Sequence, residues 1–235
     1  MYRSVLVFTA AAFATLIHPT DSSYPFGFVH IGTTIYFSAT DGSKGEDLWK
    51  SDGTSTETVP VKDTFTGASS SSFSEAVVLG ATIILHANDG PEGHELWKSD
   101  GSGTVTVKNI RAGSGNSSPT GMTAYGSYVY FSANDGSSGF ELWRSDGTMT
   151  VTTLFQDIGS GSANSNPHDF VVYNGTLYSA ARGTSVGEEL FKSDGREGRP
   201  GAMCAACRDL RQRETPGTRE YRRFIRRRSA TTLST

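Results

Sequence analysis

The sequence predicts an all-β protein, built as a propeller-like array of four four-stranded antiparallel meanders of which the last is incomplete. The first observation is a motif, Glu-Leu-Trp-Lys-Ser-Asp-Gly at 95–101, whose aromatic position recurs at 49, 97, 143 and 191. A spacing of 48, 46 and 48 residues is typical of repeat architectures. The second is the 27 glycines, many in Asp-Gly and Asn-Gly pairs between short apolar runs without helical periodicity.

The motif has four signature positions in each copy: a leucine, an aromatic residue, and the aspartate and glycine of a turn. They are Leu48, Trp49, Asp52 and Gly53; Leu96, Trp97, Asp100 and Gly101; Leu142, Trp143, Asp146 and Gly147; and Leu190, Phe191, Asp194 and Gly195.

Each copy, aligned over about 24–66, 67–113, 114–161 and 162–195, contains short strand candidates joined by glycine-containing turns. In the third copy the first two are residues 120–125 and 128–133, the third is the Glu-Leu-Trp stretch, and the fourth is 151–157. Because Asp, Asn and Gly tolerate the left-handed backbone angles of tight turns, consecutive strands are expected to pair as antiparallel hairpins. The last copy is expected to lack a fourth strand.

The second strand of the third copy is apolar or small on both faces, which predicts cover on both sides. A lone sheet cannot provide that cover, whereas neighbouring copies stacked face to face can. Leu96 and Trp97 point to opposite faces of the third strand, so we expect them to pack against different neighbours. Glu95 is expected near the rim.

The motif, the upstream Asp-Gly loop (88–90 in the second copy) and the period together resemble the ELWxxDGT repeat, found in tandem in large secreted and surface proteins. The resemblance covers about 24–195. It implies a propeller-like β architecture and no established reaction.

The two chain ends differ from the repeats. Residues 1–20 combine Arg3 with an apolar run at 5–17, which predicts a secretory signal peptide; a buried first strand is the alternative. Residues 196–235 contain eleven arginines and no lysine, in a chain of net charge −3. We expect this tail to be disordered, with a shifted reading frame or a retained intron as a further explanation of the lost pattern.

No residue pattern identifies a catalytic centre. The acidic loops could supply oxygens to calcium, although aspartate in an Asp-Gly turn already caps its own backbone. The five histidines show no metal-ligand spacing. His86 aligns with Phe37 and Phe131 of the other copies, which predicts a packed or rim residue. The single Cys-x-x-Cys at 204–207 is weak for zinc or redox chemistry. No cofactor is expected, with calcium left open.

Two sequons, at Asn116 and Asn174, are the candidate glycosylation sites. Asn116 is the better acceptor because it lies in a loop, whereas Asn174 lies in a tight turn.

The favoured function is a secreted or surface, non-catalytic binding module for an extracellular protein or glycan, without nucleic acid and without a transmembrane span. Two alternatives remain. One is a propeller hydrolase or lyase with a site at the central channel, marked by a residue that breaks the repeat in one blade, for which His86 and His168 are candidates. The other is a calcium-stabilised matrix protein.

Overall fold

The computed structural model describes residues 22–67, 69–185 and 187–195, together with the backbone of 204–205. They form four antiparallel sheets, each of four strands in sequence order, which we call blades 1 to 4. The predicted all-β, propeller-like array is therefore confirmed. No helix in these ranges could cross a bilayer. The signal peptide prediction falls outside the described residues, as does the predicted disorder of 196–235 apart from 204–205.

The strand bounds follow the repeat. Blade 1 contains β1 (Phe26–Ile31), β2 (Thr34–Ala39), β3 (Asp47–Ser51) and β4 (Val59–Lys62). Blade 2 contains β5 (Ala76–Leu79), β6 (Thr82–Asn88), β7 (His94–Ser99) and β8 (Thr104–Lys108). Blade 3 contains β9 (Thr120–Tyr125), β10 (Tyr128–Asn134), β11 (Phe140–Ser145) and β12 (Thr153–Gln156). Blade 4 contains β13 (His168–Tyr173), β14 (Thr176–Arg182), β15 (Glu188–Ser193) and β16 (Cys204–Ala205).

The expectation that the last copy lacks a fourth strand is wrong in one detail. β16 pairs antiparallel with β15, with Lys192 opposite Cys204 and Phe191 opposite Ala205. The strand has only two residues, and a run of that length carries no alternation that a sequence could show. Blade 4 thus has four strands, of which the last is much shorter than in blades 1 to 3.

The Asp-Gly loops are turns capped by their own aspartates. Asp135 Oδ1 accepts hydrogen bonds from the backbone N–H groups of Ser137 (2.8 Å) and Ser138 (2.7 Å). Asp100 Oδ1 accepts from the Ser102 N–H group at 2.9 Å in the turn after the motif. These contacts are the local aspartate turns that the sequence predicted.

Neighbouring blades bury each other's faces. Leu96 packs with Trp143 and Phe131 of blade 3, whereas Trp97 packs with Tyr36 and other residues of blade 1. The expectation that Leu96 and Trp97 contact different neighbours is confirmed. In each of blades 2 to 4 the aromatic residue of the motif faces the preceding blade, and the leucine faces the following blade where one exists.

The first strand of each blade is the inner one of the array. β1 packs against β5, β5 against β9, and β9 against β13. Among the described residues no comparable contact joins β13 to β1. Within the described residues the blades therefore form three such interfaces, and blades 1 and 4 lie at the two ends of the row.

Candidate functional site

The motif glutamates of blades 2 and 3 are buried and hold the chain that leads into the next blade. Glu95 Oε2 accepts from the N–H group of Ile110 (2.7 Å) and the hydroxyl of Ser117 (2.6 Å), and Oε1 accepts from the N–H groups of Ser117 (3.1 Å) and Arg111 (3.3 Å). Glu95 is 0% exposed, so the expectation that it lies near the rim is wrong. Its four donors come from the loop between the blades, which a strand pattern does not describe.

Glu141 repeats this arrangement one blade later. Its carboxylate accepts from the N–H groups of Ile158 (2.6 Å), Gly159 (3.1 Å) and Ser165 (3.0 Å) and from the Ser165 hydroxyl (2.7 Å). We call Glu95 and Glu141 the latch carboxylates, and Ser117 and Ser165 the blade-start serines. Each latch ties the end of one blade to the start of the next.

The electrostatics of the latches reflect their burial. Burial raises the pKa of the Glu95 and Glu141 carboxyls, and the hydrogen bonds from the serines and backbone N–H groups oppose that shift.

In blade 1 the shorter Asp47 occupies this position. It accepts from the Thr64 N–H group at 3.1 Å, the one hydrogen bond to its carboxylate that meets the distance and angle limits among the described residues. Aspartate lacks one methylene group, so its carboxylate reaches less of the loop.

Lysines of the motif form a second set of hydrogen bonds between neighbouring blades. Lys50 Nζ donates to the carbonyl oxygen of Gly101 at 3.0 Å, and Lys98 Nζ donates to that of Gly147 at 2.9 Å. At the last interface the hydroxyl of Tyr130 donates to the carbonyl oxygen of Gly195 at 3.4 Å. These polar residues of the repeat thus hydrogen-bond one blade to the next.

Three positions differ in chemistry from blade to blade, and all lie where strand one begins, strand two ends and strand three begins. We call this end of the blades the variable edge. The first position holds Phe26, Ser74, Thr120 and His168; the second holds Ser38, His86, Ser132 and Ala180; the third holds Glu46, His94, Phe140 and Glu188. Ser74 and Glu46 lie just before β5 and β3, and Ser74 is placed by its hydrogen bond to His86.

The alignment of His86 with Phe37 and Phe131 is wrong by one residue. Leu85 is opposite Trp97, as Phe37 is opposite Trp49 and Phe131 opposite Trp143. His86 therefore occupies the position of a serine or alanine in the other blades, on the opposite face of its strand.

At the variable edge of blade 2, Ser74, His86 and His94 form a hydrogen-bonded chain. Ser74 Oγ lies 2.7 Å from His86 Nδ1, and His86 Nε2 lies 2.9 Å from His94 Nδ1. Burial, followed by the neighbouring His94, lowers the pKa of His86 to about 4. A neutral imidazole has one donor and one acceptor nitrogen, so Nδ1 can accept from the Ser74 hydroxyl while Nε2–H donates to His94. Sequence reasoning had noted His86 but missed its two partners.

The variable edges of blades 3 and 4 enclose an open depression of about 370 Å³. It is lined by Ser118, Thr120, Ser132, Phe140, Asn166, Pro167 and His168. His168 Nδ1 donates to the carbonyl oxygen of Asn166 at 2.9 Å, and its Nε2 lies 3.9 Å from Glu188 Oε1. His168, the second sequence candidate, therefore lies in this depression and apart from the His86 chain.

The sequon asparagines are exposed and lie in different settings. Asn116 Oδ1 accepts from the His94 N–H group at 2.9 Å, which leaves its amide nitrogen available. Asn174 lies in the β13–β14 turn with a φ of 47°. Among the described residues no group of three or more His, Cys, Asp or Glu side chains could hold a metal ion.

Fold and site together define a propeller-like β-repeat protein in which latch carboxylates of blades 2 and 3 bind the loops to the next blades, and in which the blades differ at one edge. No protein-family model matches the chain, and no match to a curated protein was found. Among solved structures, it is similar to the family-74 xyloglucanase of Xanthomonas campestris (18% identity, TM-score 0.47, 76% of this chain and 29% of that one). It is also similar to the Pyrococcus horikoshii acylaminoacyl peptidase (15%, 0.48, 82% and 29%) and to the computationally designed Ika4 protein (15%, 0.41, 74% and 93%). At these levels no activity is carried over to this chain.

Proposed function

We propose that the protein is a secreted or surface binding module of the ELWxxDGT repeat type, and that its ligand is a glycan held at the variable edge between blades 3 and 4. One observation carries the proposal: the repeated polar residues are used in latches and turns, whereas the residues that differ between blades lie together at one edge. In repeat proteins the variation that serves binding concentrates on one face.

The chemistry of the depression suits a sugar ring. Phe140 offers an aromatic face, and Ser118, Thr120 and Asn166 offer hydroxyl and amide groups that both donate and accept hydrogen bonds. A volume of about 370 Å³ lies within the ordinary range of ligand sites. The depression is open, as a site that binds one sugar unit of a longer glycan would need to be.

A glycan array with the full chain, followed by calorimetry on any ligand found, tests this function. Phe140→Ala is expected to weaken binding about tenfold or more, because truncating a buried aromatic contact is costly. Tyr173→Ala is the matched control, since Tyr173 is 46% exposed and ends β13 at the side opposite His168. Binding that is unchanged in Phe140→Ala, or absent from the array, contradicts the proposal.

The Ser74–His86–His94 chain favours a second candidate, a hydrolase. Neutral His86 Nδ1 would take the proton of the Ser74 hydroxyl as Oγ adds to an ester carbonyl, and would return it to the departing alkoxide. With a pKa of about 4 for His86, this base stays neutral from pH 6 to pH 8, so turnover would be flat there. Turnover of an aryl ester that Ser74→Ala abolishes, and that the exposed-site control Ser69→Ala retains, would favour this candidate over the binding module.

A further inference from the structure

The depression between blades 3 and 4 has a counterpart between blades 2 and 3. In the depression, the carbonyl oxygen of Phe140 accepts from the N–H group of Asn166 at 3.0 Å. One blade earlier, the carbonyl oxygen of His94 accepts from the N–H group of Ser118 at 3.1 Å. Asn166 and Ser118 share a φ of 45°. The backbone that frames the depression is therefore repeated, with His94 in the place of Phe140.

The counterpart consists of His94, Ser74, Ser118 and Thr120, and we call it the His94 site. It shares a wall with the depression, because Ser118 and Thr120 also line the depression. Thr120 begins β9 as His168 begins β13, so Thr120 has at the His94 site the place that His168 has in the depression. A chain molecule that leaves the depression across Ser118 and Thr120 therefore reaches His94 next.

The two sites differ in depth because of the residue at the end of the second strand. His86 is opposite Leu96 as Ser132 is opposite Leu142, so the two residues are equivalent. His86 is 8% exposed, and its imidazole fills volume that the smaller hydroxymethyl group of Ser132 leaves open. A ligand at the His94 site therefore contacts a polar surface instead of entering a depression.

His94 has one ring nitrogen left for a ligand. Its Nδ1 lies 2.9 Å from His86 Nε2, whereas its own Nε2 makes no hydrogen bond to a described residue. A neutral imidazole has one donor and one acceptor nitrogen, so the protons along Ser74, His86 and His94 can be arranged in either direction. His94 Nε2 is a donor in one arrangement and an acceptor in the other, which matches the hydroxyl groups of a sugar.

The charge of this ring favours an uncharged ligand. Burial lowers the pKa of His94, and burial followed by the neighbouring His94 lowers that of His86 to about 4. Both rings are therefore neutral near pH 7 and give no positive charge that would attract the carboxylate of a uronic acid.

We propose that the variable edge binds a linear, neutral oligosaccharide across two adjoining subsites, the depression and the His94 site. This inference rests on the glycan-binding function proposed above and adds the length and charge of the ligand. Sheets packed face to face lie about 10 Å apart, and two linked sugar units span a gap of that order. Phe140 contacts one unit with its aromatic face, and His94 Nε2 hydrogen-bonds a hydroxyl group of another.

Calorimetry on the full chain with cello-, xylo-, manno- and chito-oligosaccharides of increasing length tests the two subsites. In a series that binds, the trimer is expected to bind about tenfold more tightly than the single unit, because it gains the contacts at His94. His94→Ala is expected to remove this gain and to leave the affinity for the single unit unchanged. His94→Gln, whose amide both donates and accepts, is expected to retain most of it.

His30→Ala is the matched control, since His30 is exposed and lies beside the β1–β2 turn, away from the variable edge. It is expected to change neither affinity. Equal affinities for the single unit and the trimer, both weakened by Phe140→Ala, overturn the second subsite and leave the glycan-binding function standing. Binding of none of the four series also overturns the inference, and an acidic glycan found on the array would then support the binding function alone.

Nitrogen NMR of the chain with ¹⁵N-labelled histidine gives a readout that needs no substitution. The ring Nε2 signal of His94 is expected to move when the bound trimer is added and to stay in place with the single unit. An unmoved His94 signal in the presence of a bound trimer overturns the inference.

Discussion

The carboxylate of Glu95 has four donors and no water-facing side, so its chemistry is more restricted than that of a surface acid. We expect Glu95→Gln to lower the free energy of unfolding by about 2–6 kcal/mol. The amide nitrogen of glutamine replaces one accepting oxygen, so two buried donors lose their partner at about 1–3 kcal/mol each. Urea denaturation followed by tryptophan fluorescence measures the change.

Glu57→Gln provides the comparison for this substitution. Glu57 is exposed, and the same loss of charge there is expected to change stability by less than about 0.5 kcal/mol. Similar effects of the two substitutions would mean that the hydrogen bonds of Glu95 contribute little beyond its charge.

Single residues also show where a repeat alignment fails. The repeat alignment from sequence places His86 one residue out of register, and in a strand a shift of one residue exchanges the two faces. The three side chains of this group come from different segments: Ser74 precedes the first strand of blade 2, His86 lies in the second and His94 begins the third. No spacing rule connects them, so only the paired strands brought them together.

At the scale of the element, the Ser-Asp-Gly turn connects the third and fourth strands. In blades 2 and 3 the carbonyl oxygen of its glycine accepts the lysine hydrogen bond from the preceding blade. Gly101 has a φ of +89°, and a Cβ atom there would collide with the hydroxyl of Tyr36 in blade 1. We expect Gly101→Ala to lower the free energy of unfolding by about 2 kcal/mol or more, since both backbone strain and the close contact oppose a side chain. Thermal denaturation measures this loss.

Gly103, two residues further along the same turn, is the control for the strain argument. No atom lies within 4 Å of a Cβ placed there, and its φ is not in the left-handed region. Gly103→Ala is expected to be neutral or to stabilise slightly, because it restricts the unfolded chain. A destabilisation equal to that of Gly101→Ala would show that the turn tolerates no substitution and that the Tyr36 contact is not the cause.

At the scale of the whole molecule, the blades are joined in a row, so each interface supports two blades. Trp143 is 5% exposed in the cluster shared by blades 2 and 3. Trp143→Ala is expected to cost about 3–5 kcal/mol. Hydrogen exchange should rise first in β7 and β11, because nearest-neighbour contacts dominate the stability of a repeat array.

Met149→Ala tests whether this effect is specific to the interface. Met149 lies in the same blade but is 68% exposed, and its loss is expected to change stability by less than about 0.5 kcal/mol. Uniformly raised exchange in all four blades of Trp143→Ala would contradict a row of coupled neighbours and indicate one cooperative unit.

The sequence by itself determined the number of blades, all of their strands except β16, and the opposite facing of Leu96 and Trp97. These features follow from side-chain alternation along a strand and from the backbone preferences of Asp and Gly, both of which are local. The tertiary structure alone decided that Glu95 is a buried latch, that His86 meets Ser74 and His94, and that the depression lies between blades 3 and 4. Each of these depends on which loop lies beside which strand, and that is set by the packing of blade on blade, which no short stretch of sequence encodes.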